Sequence, residues 1–317
     1  MIFGYFYTGF RRTYYIMQEE LSKRSRIIKA LVTEFNNNKY FTDMHNAETV
    51  GVSELEKPFI YPEHLSTEII NMTNFKMEVL KWKESTSRWI ILHLHGGGYV
   101  GAFRRHYKNM AGLYSEVGGG ATVVSVDYRV APEHPFPAAL EDALEAYDWV
   151  LEQGWHHDQI IVAGDSAGGG LAMALCHTLK SRWRRLPAGI VAMSPWTDLT
   201  ASGKSYTENY DIDPVFGNDR AELIYNNPYI GDMNPRDPRI SPAFGDFTGF
   251  PPMLIQVGTD EMLLSDSEIV AAKAKSAGVR IRFTKYNGMF HVFQIAGTLM
   301  DESKLAWAEV KRFLNEI

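Results

Sequence analysis

The chain has 317 residues, 45% of them hydrophobic and 22% charged, with 26 glycines and 14 prolines. Such a balance suits a globular protein long enough to bury its own core, and it excludes collagen-like, disordered and coiled-coil chains. The net charge of −6 argues against a nucleic-acid partner. The single cysteine, Cys176, excludes an intramolecular disulfide framework and favours a reducing, cytoplasmic setting.

Residues 1–17 are rich in aromatics, among them Phe3, Tyr5, Phe6, Tyr7, Phe10, Tyr14 and Tyr15. No basic segment precedes them, Gly4 and Gly9 interrupt them, and no small-residue cleavage site is evident, so a secretory signal is not expected. Apolar runs all fall short of the roughly 18 residues that a membrane span needs. Farther on, Ile27, Ile28, Leu31, Val32 and Phe35 recur at helical spacing. Beside them Lys23, Arg24, Arg26 and Lys29 form a basic face, read here as a solvated helix surface. Residues 1–50 thus read as a helical N-terminal segment.

From residue 66 the pattern changes. Phe75, Met77 and Val79 alternate with Lys76 and Glu78, as in a half-exposed strand. Short continuous apolar runs follow at 89–94, 122–126, 160–163, 190–193 and 253–257, separated by stretches long enough for helices. In one such stretch Phe136, Leu140, Leu144, Tyr147 and Leu151 keep a single apolar face. Buried strands alternating with amphipathic helices predict a mostly parallel sheet covered on both sides. Alternation returns at 279–283, which marks an edge strand. Ala306, Val310, Phe313, Leu314 and Ile317 then line one face of a closing helix. The long stretch between 193 and 253 holds Pro195, Pro214, Pro228, Pro235, Pro238 and Pro242 and breaks the rhythm. A connection of that length in a compact domain has a function or structure of its own. With residues 1–50 it reads as a cap over one end of the sheet.

The strongest chemical signal is Gly164-Asp165-Ser166-Ala167-Gly168, set between the 160–163 strand and a helical stretch at 171–180. Glycines at both ends allow a strained turn that lifts the serine hydroxyl out of the sheet. At the helix start, the Ala167 amide would point where an oxyanion forms. A second signal, His95-Gly96-Gly97-Gly98, follows the 89–94 strand and lets backbone amides approach a ligand with no Cβ in the way. The run Gly96-Gly97-Gly98-Tyr99-Val100-Gly101 also satisfies a dinucleotide-binding spacing, with Asp127 ending the next strand. Other strands come before this one, however, and an NAD-binding oxidoreductase would leave Ser166 and the late His291 without roles. His93 and His95 alternate along one strand with no third ligand nearby, and read as structural.

His291 stands after the last strand and before the closing helix, the final place in the order serine, acid, histidine. The acid belongs in the loop after the 253–257 strand, where Asp260 and Glu261 are both candidates.

These motifs resemble the hormone-sensitive-lipase-like branch of the α/β-hydrolase esterases. The likeness rests on the His95–Gly98 run, the Gly164–Gly168 turn, Tyr128-Arg129-Val130-Ala131-Pro132-Glu133 with Phe136-Pro137-Ala138, the acid loop and Gly288-Met289-Phe290-His291. It runs from about residue 90 to the C-terminus. The resemblance implies an α/β-hydrolase fold: a mostly parallel eight-stranded sheet, helices on both faces and a helical cap. The cap comprises residues 1–50 and about 197–250, and the catalytic domain spans 51–317. It also implies a cofactor-free serine hydrolase acting on small-molecule, short-chain acyl esters, with neither metal nor membrane required.

Residue roles follow from that likeness and from the chemistry of the groups. Ser166 is the nucleophile, His291 the general base, and Gly97, Gly98 and Ala167 supply oxyanion-hole amides, with Gly96 as a substitute donor. The family usually reads Asp-x-Leu at the acid, and here Glu261-Met262-Leu263 keeps that register, so Glu261 rather than Asp260 is expected to face His291. Asp260 is then free to cap a turn or pair with a base. Tyr128, Arg129, Glu133 and Asp142 read as structural, and Cys176 as a core residue. Deacetylation of sugars and arylformamide hydrolysis use the same triad. A non-catalytic ligand receptor on this fold would have lost the histidine. The charged edge strand at about 279–286 also allows a homodimer.

Overall fold

A computed structural model describes residues 21–37, 59–218 and 221–317. The first half runs α1 (Lys23–Asn37), β1 (Leu65–Asn71), β2 (Lys76–Trp82), β3 (Ile90–Leu94), α2 (Arg105–Val117), β4 (Thr122–Asp127), α3 (Ala138–Glu152), β5 (Ile160–Asp165) and α4 (Ala167–Ser181). The second half adds β6 (Gly189–Met193), the single turns α5 (Ser205–Glu208) and α6 (Glu222–Tyr225), β7 (Met253–Gly258), α7 (Leu264–Ser276), β8 (Ile281–Tyr286) and α8 (Asp301–Glu316). The aromatic run at 1–17, and the remainder of the expected N-terminal helical segment outside α1, lie outside the described residues.

Eight strands form one sheet in the order β1-β2-β4-β3-β5-β6-β7-β8. The pairs β1–β2 and β2–β4 are antiparallel and the other five are parallel, so β2 alone runs against the rest. The expected α/β architecture is therefore present. Along β5, Ile160 and Val162 face one apolar core while Ile161 and Ala163 face another, as the two-residue period of a strand buried on both sides requires. The first core is covered by α3, α4 and α7, the second by α2 and α8. Cys176 is buried under α4's own side of the sheet.

Two details depart from simple alternation. Glu78, expected to be exposed on β2, is buried and held by Tyr61 and Lys108. In α1 the apolar residues split: Ile28 and Val32 pack on Met289, Phe290 and Phe293, whereas Ile27 and Leu31 remain 60% and 63% exposed. Lys29, counted above as part of a solvated face, is turned inward. At the other end β8 is an edge strand, and its Arg282 and Lys285 pair with Glu316 and Glu268. Among the described residues no helix is long and apolar enough to cross a membrane.

Because β3 and β5–β8 are parallel, their carboxyl ends share one edge of the sheet. The chain leaves β3 for β4 on one side and returns to β5 on the other, which opens a crevice at that edge. The segments after β3, β5, β6, β7 and β8 all converge there.

Candidate active site

Ser166 sits where β5 turns sharply into α4, with φ 52° and ψ −123°. A side chain in that region is strained and persists only where its surroundings hold it. They do so by hydrogen bonds: the Ser166 amide donates to Met193 O at 2.9 Å, and Trp196 N–H donates to Ser166 O at 2.8 Å. The flanking glycines are required by contact. A Cβ at Gly164 would lie 2.4 Å from the Gly168 carbonyl, and one at Gly168 would lie 2.0 Å from Leu94 O. The turn therefore abuts the end of β3.

Nε2 of His291 lies 2.9 Å from Ser166 Oγ, and Nδ1 lies 2.9 Å from Glu261 Oε2. A carboxylate only accepts, so Nδ1 carries the proton and Nε2 accepts from the serine hydroxyl. The other Glu261 oxygen accepts from Ser194 Oγ at 2.7 Å and from the Gly258 amide. Burial pushes the Glu261 carboxyl up, while His291, Gly258 and Ser194 pull it back toward the ionised form. The structure thus joins Ser166, His291 and Glu261 in one line and turns Asp260 away, onto Lys29.

Ser194 was not singled out from sequence. It follows β6 with φ 48°, donates to Glu261 and accepts from Val292 N–H at 3.1 Å, so it ties the acid to the histidine loop. Its only sequence signal is position, directly after a buried strand.

After β3 the glycine run bends back on itself. The amides of Val100 and Gly101 donate to Gly97 O at 3.1 and 2.8 Å, and Gly96 O lies 2.7 Å from His95 Nδ1. In a trans peptide the N–H points opposite the C=O, so the amides of Gly97 and Gly98 face away from those partners. Asn227 Nδ2 donates to Gly98 O at 2.8 Å and Tyr128 Oη donates to His95 O at 2.6 Å, which anchors the run at both ends. Asn227 is a second residue missed from sequence. Gly96 packs against Asp165: a Cβ there would lie 2.2 Å from the Asp165 carboxylate, and the Gly96 backbone helps to pull that carboxyl down.

Neighbouring groups are structural. His93 and His95 are fully buried, and burial lowers them to about 3 and about 4, so both stay neutral. Among the described residues no three His, Cys, Asp or Glu side chains could hold a metal ion together. The spacing Gly96–Gly101 does not open a helix at once, because α2 begins only at Arg105. Arg129 is bound to Asp142, with Nη2 to Oδ1 at 2.7 Å. Phe216 lies 4.7 Å from the His291 ring, and Leu223 reaches over Gly98. Tyr206 and Trp196 are core residues, and the Tyr206 hydroxyl donates to Asp266 at 2.8 Å.

Asp165 is the exception among the buried acids: its Oδ1 has no hydrogen-bond partner. Burial pushes its carboxyl up from the ordinary 3.8 to about 7, against the pull of His291 and the Gly96 amide. A raised carboxyl means that the folded state holds the proton more tightly than the unfolded chain. This contribution to stability is complete below about pH 4 and is lost as pH rises through about 7. The thermal midpoint should therefore fall between about pH 4 and 7, and Asp165→Asn should flatten part of that fall. Melting curves with the same pH slope in both proteins would exonerate Asp165.

Comparison with known proteins agrees with this fold. Residues 91–295 match a family described as alpha/beta hydrolase fold. An esterase of Acinetobacter venetianus is 34% identical over 261 residues, covering 81% of this chain and 85% of the relative. An acetyl-hydrolase of Streptomyces hygroscopicus is 38% identical over 225 residues, covering 71% and 74%. The crystal structure of EstE5 soaked with p-nitrophenyl butyrate superposes with a TM-score of 0.82 at 31% identity, covering 93% of this chain and 98% of that one. The hormone-sensitive-lipase homologue EstE7, from a metagenome library, gives 0.81 at 32% identity, covering 94% and 99%. Alike in sequence and fold along most of its length, this chain belongs to the α/β-hydrolase fold family, in its hormone-sensitive-lipase-like esterase branch.

Proposed function

We propose that this esterase cleaves short-chain acyl esters through an acyl-enzyme on Ser166. The observation that carries this is the unbroken line from Ser166 Oγ through the His291 ring to Glu261, with 2.9 Å at each end of the ring. Ser166 Oγ attacks the ester carbonyl carbon as its proton passes to His291 Nε2. The oxygen that gains the charge lies among the amides of Gly97, Gly98 and Ala167, set beside the nucleophile by the contact of Gly168 with β3. His291 then gives its proton to the leaving alcohol, and the carbonyl re-forms as the acyl-enzyme. Water repeats the sequence, with His291 as base, and releases the carboxylic acid. Glu261 holds the ring's tautomer and stabilises the imidazolium. No cofactor enters these steps.

Ser166→Ala should lower kcat by about 10⁶, as loss of the nucleophile does in a protease triad. Glu261→Gln should lose about 10⁴, by analogy with the protease Asp→Asn change. Asp260→Asn, by contrast, should lose no more than about tenfold, because that side chain points to Lys29. Steady-state hydrolysis of p-nitrophenyl butyrate measures all three, and a dead Asp260→Asn beside an active Glu261→Gln would reverse the assignment.

The acyl preference follows from what stands over the site. Phe216 against His291 and Leu223 over Gly98 occupy volume that a long chain would need. Release assays should favour acyl groups of about two to six carbons, and Leu223→Ala should extend the range by opening space beside Gly98. Preference for twelve or more carbons in the parent would refute this. Deacetylation is the natural second reading, supported by the acetyl-hydrolase relative, and acetylated sugars and alcohols belong in the same panel.

A further inference from the structure

The groups that hold His291 come from two loops at the ends of different strands. Glu261 follows β7, and His291 follows β8. Three bonds stitch the loops together: Thr259 N–H to Tyr286 O at 3.0 Å, Asp260 N–H to Met289 O at 3.1 Å, and Gly288 N–H to Thr259 Oγ1 at 2.7 Å. A third element reaches both. From α1, Lys29 Nζ donates to the Asp260 carboxylate and, at 2.9 Å, to Gly288 O. Asp260 is the residue next to Glu261, and Gly288 stands three before His291.

Both members of the ion pair are only 21% exposed, so solvent screens their attraction less than at an open surface. Asp260 is also aimed by Thr259 Oγ1 at 3.0 Å, which fixes one carboxylate oxygen while the other takes the ammonium. The helix that carries Lys29 has other anchors. Ser22 N–H donates to Glu302 at 2.9 Å, Asn36 Nδ2 donates to Pro214 O at 2.8 Å, and Ile28 and Val32 pack into the Met289–Phe290 cluster. Removing one ammonium therefore leaves α1 docked. What is lost is the cross-brace between the acid loop and the histidine loop.

We propose, given the triad assigned above, that Lys29 is a positioning residue: its ammonium braces Asp260 against Gly288 and so fixes Glu261 relative to His291. Through it the N-terminal helix acts on the turnover step. Substrate binding is not expected to change, because neither Lys29 nor Asp260 lies among the groups around Ser166 Oγ or the Gly97–Gly98 amides. Small errors in placing a reacting group cost rate without costing affinity.

The test compares the full-length parent with Lys29→Met, Lys29→Arg, Asp260→Asn and Lys29→Met/Asp260→Asn on p-nitrophenyl butyrate, with Ser166→Ala alongside and thermal unfolding of each. Folded Lys29→Met and Asp260→Asn should each lose about three- to tenfold in kcat with KM within about twofold. The double variant should be no worse than the poorer single, since both remove one interaction. Lys29→Arg should recover part of the loss. The downfield proton signal of His291 Nδ1–H should move or broaden in Lys29→Met, which a role confined to anchoring α1 would not cause. Parental kcat in either folded single variant, a loss confined to KM, or single losses that multiply in the double variant would overturn the brace. If Lys29→Met does not fold, Asp260→Asn decides by the same criteria. An active Ser166→Ala would sink the triad itself, whereas a dead Ser166→Ala beside a fully active Lys29→Met removes only the brace.

Discussion

At Gly168 a Cβ would stand 2.0 Å from the Leu94 carbonyl oxygen and 2.4 Å from that of His95. The first turn of α4 is therefore packed against the backbone of β3 with no room for a side chain. Two results follow from that one contact. The chain must leave β5 abruptly, which drives Ser166 to φ 52°, and the first turn of α4 comes to lie against the backbone that leads into the glycine run after β3. Were the helix to start one side chain farther out, the serine could relax and the two sets of amides would separate. The strain at Ser166 is offset by the bonds that Met193 and Trp196 make to its backbone, so β6 is part of the same device.

Four buried acids differ in the partners that the fold gives them. Glu261 has a donor on every side, from His291, Ser194 and Gly258, and these oppose the upward push of burial. Asp266 accepts from the amides of Thr197 and Asp198 and from Tyr206, yet burial, with repulsion from its neighbour Asp198 added, pushes the carboxyl up to about 8. Asp142 has the Arg129 guanidinium and orders the turn after β4. Asp165, the residue next to the nucleophile, keeps one oxygen without a hydrogen-bond partner. Donors from more than one segment reach Glu261 and Asp266, whereas Arg129 alone supplies those of Asp142.

The segment after β6 contributes by contact, since α5 and α6 are single turns. Asn227 and Leu223 meet the glycine run, Phe216 meets His291, and Lys29 meets both loops beyond β7 and β8. Each of these comes from a segment with little regular structure of its own or from a helix outside the sheet.

Much of this was legible in the residues because it depends on local pattern. Continuous apolar runs marked β3 to β7, since strands buried on both faces need apolar residues at every position. Gly-x-Ser-x-Gly between a strand and a helix marked the turn, because few other residues fit its backbone. The acid-x-Leu register of the resembling family favoured Glu261 over Asp260, and Leu263 is fully buried. Tertiary structure alone decided the rest, because those groups meet across 60 to 280 residues of chain: Ser194 on Glu261, Asn227 on the Gly98 carbonyl, Lys29 on Asp260, Ser22 on Glu302. A serine after a strand or a lysine on a basic helix face looks the same in sequence whether it faces water or a carboxylate. Only the packing of α1 on the β8 loop turns Lys29 inward, and only the adjacency of β6 to β7 brings Ser194 to the acid.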